Sequence, residues 1–308
     1  MRAITWNELG TQPALRDDLP EPTPGAGEVR VRVHASSVNP VDNGIAAGMV
    51  KDTVPHEFPV TLGRDFAGVV EQVGAEVTAV SAGVEVFGFV PSMGLAVHAG
   101  SWAESIVVPE AGVTRKPDGV DTATAGAAAL AAVTAAMCVD ALDLSQGDTV
   151  LIVGATGGVG SAAAQLAAAA GATVIAPGHS EDEDYLRGLG VADVLPRDGD
   201  VVAAVRERHP DGIDAIVDLV NYAPGTYDAA LKDGGRVSSA TNAAGEGPGR
   251  TNVIATPSPE ILSRIAQHLV DGTLKVPIQQ TYDLAQAPDA LQALGATHTQ
   301  GRLALRVA

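Results

Sequence analysis

The sequence has very little cysteine and few basic residues. It contains one cysteine, Cys138, so no disulfide can form within the chain, which fits a reducing compartment. Lys and Arg number 19 against 37 Asp and Glu, and the formal net charge is −18. This balance argues against nucleic acid and anionic membranes as partners.

Long hydrophobic runs are also missing. The first ten residues hold no apolar stretch of the length of a signal peptide, and the alanine-rich runs at 127–136 and 162–170 are short and interrupted. A span of the bilayer needs roughly 20 residues. The sequence therefore predicts a soluble protein of the cytoplasm that makes no membrane contact.

Four common catalytic patterns are absent. Seven scattered histidines without H-x-x-x-H spacing, together with a single cysteine, argue against a zinc enzyme, so no metal ligands are expected. No Lys-Ser or Lys-Thr follows the glycine-rich turn, no G-x-S-x-G occurs, and no tyrosine has a lysine four residues later. These absences exclude a P-loop, the usual α/β-hydrolase and a short-chain reductase. Cys138, within an alanine-rich segment, is predicted to be a small buried hydrophobe.

The segment Asp148–Ala172, DTVLIVGATGGVGSAAAQLAAAAGA, reads as strand, glycine-rich turn and helix. The turn Ala155–Gly160 is a variant of G-x-G-x-x-G with alanine first. Gly157 lets the backbone approach a pyrophosphate, and Gly160 lets the helix pack against the strand. The pattern predicts a dinucleotide site, with a glycine-rich turn of another α/β protein as the alternative.

The residues before this segment have the texture of a β-rich, turn-rich module. Glu28–Ala35 alternates apolar and polar residues, and further strands are predicted at Phe66–Val73, Glu85–Val90 and Ala103–Val108. Near Thr122 the sequence changes to alanine-rich helix, which marks a domain boundary.

After the glycine-rich turn, strands and helices alternate, which predicts a parallel, doubly wound sheet. The predicted strands are 173–176, 193–195, 214–220 and 236–239, and the predicted helices are 181–189, 201–208, 227–231 and 259–270. Strands are again predicted at 275–282 and 302–307, which resemble the β-rich sequence of the first part of the chain. We therefore predict one domain from residues 1–122 and 272–308, and a nucleotide-binding domain from residues 123–271.

Several motifs in order carry a resemblance to a known family over nearly the whole chain. They are VRVHASSVNPVDNGIAAG, PVTLGRDFAGVVEQVG, GSWAESIVVP, AAVTAA around Thr134, ATGGVG and GRLALRV. The sequence resembles the zinc-independent, quinone oxidoreductase-like branch of the medium-chain dehydrogenase/reductase superfamily. The resemblance implies an α/β fold with a GroES-like β-rich catalytic domain and a Rossmann domain, NADPH in the cleft between them, and commonly a homodimer.

The resemblance also implies site residues. Asn39 falls beside the nicotinamide and substrate and is the catalytic candidate, with an Asx-type turn before Pro40 as the alternative. Asp42 and Asp65 are better explained as turn or buried hydrogen-bond acceptors. The expected cofactor-binding residues are Thr134, Ala155, Thr156, Gly157, Gly158, Val159, Gly160, Gly178, His179, Ser180, Arg197, Val220, Asn221, Ser239, Ala240, Thr241 and Arg302.

Two positions depart from the family pattern. Glu181 stands where NADP-dependent relatives usually carry a base for the ribose 2′-phosphate, and a carboxylate repels phosphate. His179, Ser180 and Arg197 are the neighbours that could compensate, so we expect NADPH to be accepted with weakened preference over NADH. Ala47 replaces a frequent arginine, which leaves the charge of the substrate open.

The expected reaction is hydride transfer from NADPH to a quinone or an α,β-unsaturated ketone or aldehyde. Asn39, backbone amides or the cofactor ribose would bond the acceptor oxygen, and no residue stands out as a proton donor. Two alternatives remain: an NADPH-binding redox sensor or structural protein with little catalysis, and an enoyl-thioester reductase, against which the acidity argues mildly.

Overall fold

The computed structural model describes residues 1–8, 10–49, 51–52, 55–91 and 99–308. The chain divides into two compact units. The first consists of Met1–Leu130, Thr256–Asp271 and Pro277–Ala308, and the second of Ala131–Ala255 and Gly272–Val276. The domain boundaries at residues 122 and 272 stay predictions.

The strands are β1 (Ala3–Trp6), β2 (Ala14–Arg16), β3 (Glu28–Ser37), β4 (Val60–Thr61), β5 (Asp65–Val73), β6 (Glu85–Phe89), β7 (Ser105–Pro109), β8 (Val113–Arg115), β9 (Thr149–Val153), β10 (Thr173–Gly178), β11 (Val191–Pro196), β12 (Ile213–Asp218), β13 (Leu231–Ser239), β14 (Arg250–Asn252), β15 (Ile278–Asp283) and β16 (Arg302–Arg306). The α-helices are α1 (Pro40–Ala46), α2 (Thr122–Asp140), α3 (Gly158–Ala169), α4 (Glu183–Gly188), α5 (Val201–Arg208), α6 (Pro259–Asp271) and α7 (Ala287–Ala296).

The first unit is built on a mostly antiparallel sheet in the order β15-β16-β3-β5-β6-β8, with β7 also paired to β3. In β3 the valines 29, 31 and 33 are fully buried and alternate with polar residues, as the period of two predicts. Ser37 of β3 lies opposite Ala304 of β16, and Ser36 lies opposite Phe66 of β5. This register brings the end of β3 next to the starts of β5 and β16.

The second unit holds a parallel sheet in the order β11-β10-β9-β12-β13-β14. Numbered within the sheet, this is the order 3-2-1-4-5-6, which reverses between β9 and β12. Ligands of such sheets bind at the carboxyl ends of the strands at this reversal. The loops after β9 and β12 are therefore the place to look for a site.

Predicted bounds shift by a few residues at several elements, and two predicted elements differ in kind or in where the chain leaves the sheet. The predicted helix at 227–231 is wrong: only a 3-10 turn, Asp228–Ala230, forms there, and Leu231 already begins β13. A helix of five residues has too few hydrogen bonds to offset the cost of its first turn. The strand predicted at 214–220 ends at Asp218, because the Asp218 carboxylate folds the following residues into a loop.

Helix α2 corrects the expectation about the alanine-rich run at 127–136. The run is part of a helix of 19 residues, long and apolar enough to cross a membrane by length and composition. However, 78% of its most apolar window is buried inside the protein, which is usual for a core helix. Gly126 allows its close packing on β3, since a Cβ at Gly126 would lie 2.7 Å from the Cβ of Ala35.

Candidate functional site

The glycine-rich turn connects β9 to α3 in the second unit. Gly154 has φ +90°, a backbone conformation that favours glycine. A Cβ at Gly160 would overlap the carbonyl oxygen of Gly154, so the helix and the turn can approach this closely only with glycine here. Gly160 thus has the packing role that the sequence predicts.

Gly157 differs from Gly160 because the protein's own described atoms do not require glycine there. A Cβ at Gly157 would have the Gly154 carbonyl oxygen, at 3.6 Å, as its nearest neighbour, and φ −78° suits any residue. The bare backbone leaves space beside the first N–H groups of α3, those of Gly158, Val159 and Gly160. Such groups have no acceptor within the helix and favour an anion. The turn therefore fits the pyrophosphate of a dinucleotide.

The loops that follow β9 and β12 meet at this point. A Cβ at Gly154 would lie 2.8 Å from Cγ2 of Val220, so Val220 packs directly over the turn. Ala155 and Thr156 are buried below it, and the hydroxyl of Tyr185 donates a 3.4 Å hydrogen bond to the carbonyl oxygen of Thr156. Nothing in the spacing of Tyr185 along the sequence marks it as a neighbour of the turn.

Asp218 shapes the loop after β12. One carboxylate oxygen accepts the N–H groups of Val220 at 3.1 Å and Asn221 at 3.0 Å, and the other accepts from the Asn221 side chain at 2.8 Å. Asp218 is 3% exposed. The sequence contains a signal for it, an acidic residue that ends the apolar run Ala215–Val217.

The end of β13 joins the same group of loops. The Ser239 hydroxyl oxygen accepts the N–H groups of Thr241 at 2.9 Å and Ala243 at 3.1 Å, and the Thr241 hydroxyl donates to the carbonyl oxygen of Asn221. The structure therefore places Asn221, Ser239 and Thr241 together, with Val220 and Ala240 next to them in the chain, and their role beside the nicotinamide stays a prediction. Thr134 lies in the second-unit part of α2 and is 7% exposed.

The residues expected near the ribose lie where β10 and β11 end. The N–H of Arg197 donates to the carbonyl oxygen of Gly178 at 3.1 Å, which places these two together. His179 Nδ1 lies 3.5 Å from an Asp198 carboxylate oxygen. Ser180 and Glu181 are exposed. Arg197 is also exposed, and its guanidinium has no ion pair with the residues that the structure describes.

In the first unit, Asn39 belongs to a buried network centred on Asp65. One Asp65 oxygen accepts from Ser37 Oγ at 2.7 Å, Asn39 Nδ2 at 3.0 Å and Arg302 Nη2 at 2.7 Å. The other accepts the N–H of Leu130 at 2.6 Å. Asp65 is thus a buried acceptor, as predicted.

Both side-chain ends of Asn39 are engaged in this network. Its amide hydrogens point to Asp65 and, at 3.4 Å, to Ser37, and its Oδ1 accepts from Arg302 at 2.9 Å. Arg302 also donates from Nε to the carbonyl oxygen of Ala127 at 2.8 Å. Arg302 therefore lies with Asn39 in the first unit, whereas the other expected cofactor residues lie in the second. The roles of Asn39 and Arg302 stay predictions.

Asp42 is the second buried acceptor that the sequence predicts, and the structure confirms it. Its two oxygens accept the N–H groups of Asn39 at 2.9 Å and Gly63 at 3.0 Å. Burial raises the pKa of Asp42 to about 6, against the opposing effects of Arg64 and these N–H groups.

Metal-binding groups do not assemble in the part of the chain that the structure describes: no three His, Cys, Asp or Glu side chains come together to hold an ion. Cys138 is buried, as predicted, and burial raises the pKa of its thiol to about 12. The thiolate that reacts with ligands or oxidants is therefore not formed near neutral pH.

Two segments of the chain match models of known protein families. Residues 25–118 match the family model of the alcohol dehydrogenase GroES-like domain, and residues 158–266 match that of the zinc-binding dehydrogenases. The predicted fold class, a GroES-like β-rich domain with a Rossmann domain, is confirmed.

Individual relatives agree with these matches. The NADPH-dependent alkenal/one oxidoreductase of Arabidopsis thaliana chloroplasts is 28% identical, over 98% of this chain and 78% of the relative. A mycocerosic acid synthase-like polyketide synthase of Mycobacterium tuberculosis is 34% identical over 92% of this chain, which spans 14% of that large protein. The solved quinone oxidoreductase of Coxiella burnetii is 27% identical with a TM-score of 0.88, over 100% of this chain and 99% of that one. The chain belongs to the medium-chain dehydrogenase/reductase superfamily, in its quinone oxidoreductase-like branch.

Proposed function

We propose that this oxidoreductase transfers a hydride from NADPH to a quinone or to the β-carbon of an α,β-unsaturated ketone or aldehyde. The observation that carries the proposal is Gly157, whose missing side chain leaves space beside the N-terminus of α3 at the reversal of the parallel sheet. The names of the relatives, a quinone oxidoreductase and an alkenal/one oxidoreductase, support the acceptor class.

The second unit would hold the cofactor. Gly158, Val159 and Gly160 would bind the pyrophosphate through backbone N–H groups, and Asp218 would keep the Val220–Asn221 loop in place beside the ring. The Ser239–Thr241 hydrogen bonds fix the neighbouring loop. When bound, the nicotinamide supplies the hydride.

The first unit would contribute to the acceptor site. The network of Ser37, Asn39 and Asp65 holds the Asn39 amide in one orientation. Both amide hydrogens are already shared within this network, so donation to an acceptor oxygen would require Asn39 to exchange one of these bonds. We therefore expect Asn39→Ala to lower the turnover of enone or quinone substrates and to leave the affinity for NADPH within a few-fold of the wild type.

Loss of NADPH absorbance with a panel of quinones, enones and enals tests the proposal. We expect oxidation that depends on the acceptor, with both NADPH and NADH accepted. Binding of NADPH without oxidation by any acceptor would instead support a redox sensor or a structural protein.

An enoyl-thioester reductase is the second candidate, because the chain matches a segment of a polyketide synthase at 34% identity. Rates with a short enoyl-CoA and with an enone of the same carbon skeleton separate the two. A kcat/KM for the thioester above that for the enone would favour the second candidate.

Partners and location stay predictions: a small electrophilic acceptor as substrate, no nucleic acid or membrane partner, a homodimer, and the cytoplasm.

A further inference from the structure

Arg64 carries a buried positive charge that the described residues leave largely unpaired. The residue is 3% exposed, and its Nε and Nη2 atoms have no hydrogen-bond partner within residues 1–8, 10–49, 51–52, 55–91 and 99–308. Its Nη1 makes a long hydrogen bond of 3.5 Å to the carbonyl oxygen of Pro91. Burial lowers the pKa of Arg64, which means that the charge is costly in this position.

Arg302, a second buried arginine, differs from Arg64 because its guanidinium has hydrogen-bond acceptors. Arg302 is 5% exposed, and it donates to the Asp65 carboxylate at 2.7 Å and to the Ala127 carbonyl oxygen at 2.8 Å. Asp42 is the carboxylate that acts on Arg64 electrostatically. It makes no ion pair with Arg64 among the described contacts, since its oxygens accept the N–H groups of Asn39 and Gly63. In the part of the chain that the structure describes, the Arg302 guanidinium thus has its acceptors and the Arg64 guanidinium is short of them.

The neighbours of Arg64 place it beside the candidate catalytic residue. Gly63 donates to Asp42, which also accepts the N–H of Asn39, and Asp65 accepts from the Asn39 side chain. Arg64 stands between these two residues in the chain. The backbone of Arg64 is therefore held from both sides near the start of α1, where Asn39 lies, and Asp42 of α1 is close enough to act on the guanidinium charge.

We infer that Arg64 binds the oxygen of the hydride acceptor, an inference that rests on the proposed function. An enone that takes up a hydride at its β-carbon moves its π electrons to the carbonyl oxygen and becomes an enolate, and a quinone becomes a hydroquinone monoanion. The dinucleotide that supplied the hydride is left oxidised, and the anion then takes a proton from water.

A guanidinium offers such an oxyanion a full charge and paired N–H donors. Held in a site of low dielectric, it stabilises the negative charge more strongly than water does. Both free nitrogens of Arg64 are covered by protein, so binding of the acceptor includes a local rearrangement around this side chain.

Binding of 4-nitrophenolate in the presence of NADP⁺ tests the inference without any turnover, because this coloured phenolate mimics the anionic product. The proteins compared are the wild type, Arg64→Met, Arg64→Lys and the control Arg236→Met, whose arginine pairs with Asp148 at 2.7 Å. We expect Arg64→Met to bind at least about tenfold more weakly than the wild type, Arg64→Lys to lie between them, and the control to match the wild type. Equal affinity in Arg64→Met, or no binding to the wild type, overturns the inference.

Thermal unfolding separates a ligand-binding role from a structural one. Arg64→Met should unfold at the same or a higher temperature than the wild type, because an unpaired buried charge is removed, whereas the control should unfold at a lower temperature. A lower unfolding temperature for both Arg64 variants would show that the guanidinium is structural and would overturn the inference.

Kinetics then connect Arg64 to the reaction. We expect kcat/KM for an enone to fall about a hundredfold in Arg64→Met, with a partial return in Arg64→Lys and an unchanged KM for NADPH. An unchanged kcat/KM would count against the inference. If none of the acceptors in the panel causes the wild type to oxidise NADPH, the proposed function fails. The phenolate titration still decides whether Arg64 binds an oxyanion.

Discussion

Gly157 and Gly160 lie three residues apart in one turn, and the space around their Cα atoms differs. A Cβ at Gly160 would overlap the backbone of Gly154, whereas a Cβ at Gly157 would meet only ordinary contacts. The fold therefore requires glycine at position 160. At position 157 the requirement comes instead from the ligand that we expect to lie against the turn.

This difference predicts opposite behaviour for two alanine variants. We expect Gly160→Ala to lower the free energy of unfolding by about 2 kcal/mol or more, because the backbone must shift. Gly157→Ala should keep or slightly raise stability, by up to about 1 kcal/mol, and weaken NADPH binding by at least about tenfold. Urea unfolding and a fluorescence titration with NADPH measure the two effects. Wild-type affinity in Gly157→Ala would contradict the pyrophosphate site.

Asp42 gives a pH dependence whose sign follows from its burial. Its pKa is raised from 3.8 to about 6, so the folded protein holds this proton more tightly than the unfolded chain. The stabilisation is complete below pH 3.8 and is lost as the pH rises through 6. Compared with Asp42→Asn, the wild type should gain about 1 kcal/mol of unfolding free energy between pH 7.5 and pH 5. Parallel pH profiles of the two proteins would show that Asp42 does not titrate in this range.

Glu181 and Arg197 set the expected balance between the two cofactors. Both are exposed near the ends of β10 and β11, so a 2′-phosphate would meet one charge of each sign. Glu181→Arg should raise the ratio of kcat/KM for NADPH to that for NADH by about tenfold. The matched control is Glu183→Arg, at an exposed position where the native carboxylate pairs with Arg187 at 2.8 Å. An equal change in both variants would indicate bulk charge and not a specific 2′-phosphate contact.

Among the elements, those with a clear period were predictable from sequence and those decided by distant contacts were not. The alternation predicted β3 to within two residues of its end, the apolar run before the glycine-rich turn predicted the strand that became β9, and α5 lies at 201–208 as predicted. Helix α7 and the short strand β14 were missed. A strand of three residues has no period to detect, and pairing with β13 defines it.

The site shows the same division. The glycine-rich turn is local in sequence and could be predicted, because strand, turn and helix follow one another. The Asp65 network could not, since Arg302 reaches Asp65 across 237 residues and its contacts depend on the pairing of β16 with β3. Asp42 and Asp65 were predicted as buried acceptors without their donors.

The Asp65–Arg302 pair ties β16 to β5 and, through Ala127 and Leu130, to α2. Asp65→Asn removes the charge and leaves Arg302 buried and unpaired, which should lower the free energy of unfolding by about 3–5 kcal/mol. The double variant Asp65→Asn/Arg302→Met should recover part of this loss, because no unpaired charge remains. Urea unfolding of the three proteins checks both statements, and a loss below about 1 kcal/mol in the single variant would show that the pair does not anchor β16.

The whole molecule is strongly acidic, and this limits how it can bind anions and other copies of itself. A net charge of −18 keeps copies apart at long range and gives no general attraction for anions. A phosphate-bearing ligand must therefore be held locally, by the N–H groups at the start of α3 or by single cations. The same charge means that two copies would associate only through a defined surface.

We expect the edge of the second unit's sheet at β14 to be such a surface. β14 is its outermost strand, its residues Thr251 and Asn252 are exposed, and Ile254 just beyond it is 56% exposed. An edge strand presents unpaired N–H and C=O groups that a second copy can bond in an antiparallel manner about a two-fold axis.

We expect light scattering to give a mass of twice 31.1 kDa, in keeping with the homodimer that the family resemblance implies. Ile254→Glu should shift the protein towards the monomer, since it places a charge beside the edge. Val270→Glu is the control, because Val270 is 55% exposed and lies on α6 in the first unit, not beside β14. A monomeric wild type would rule out the dimer, and a dimer that survives Ile254→Glu but not Val270→Glu would move the interface to α6.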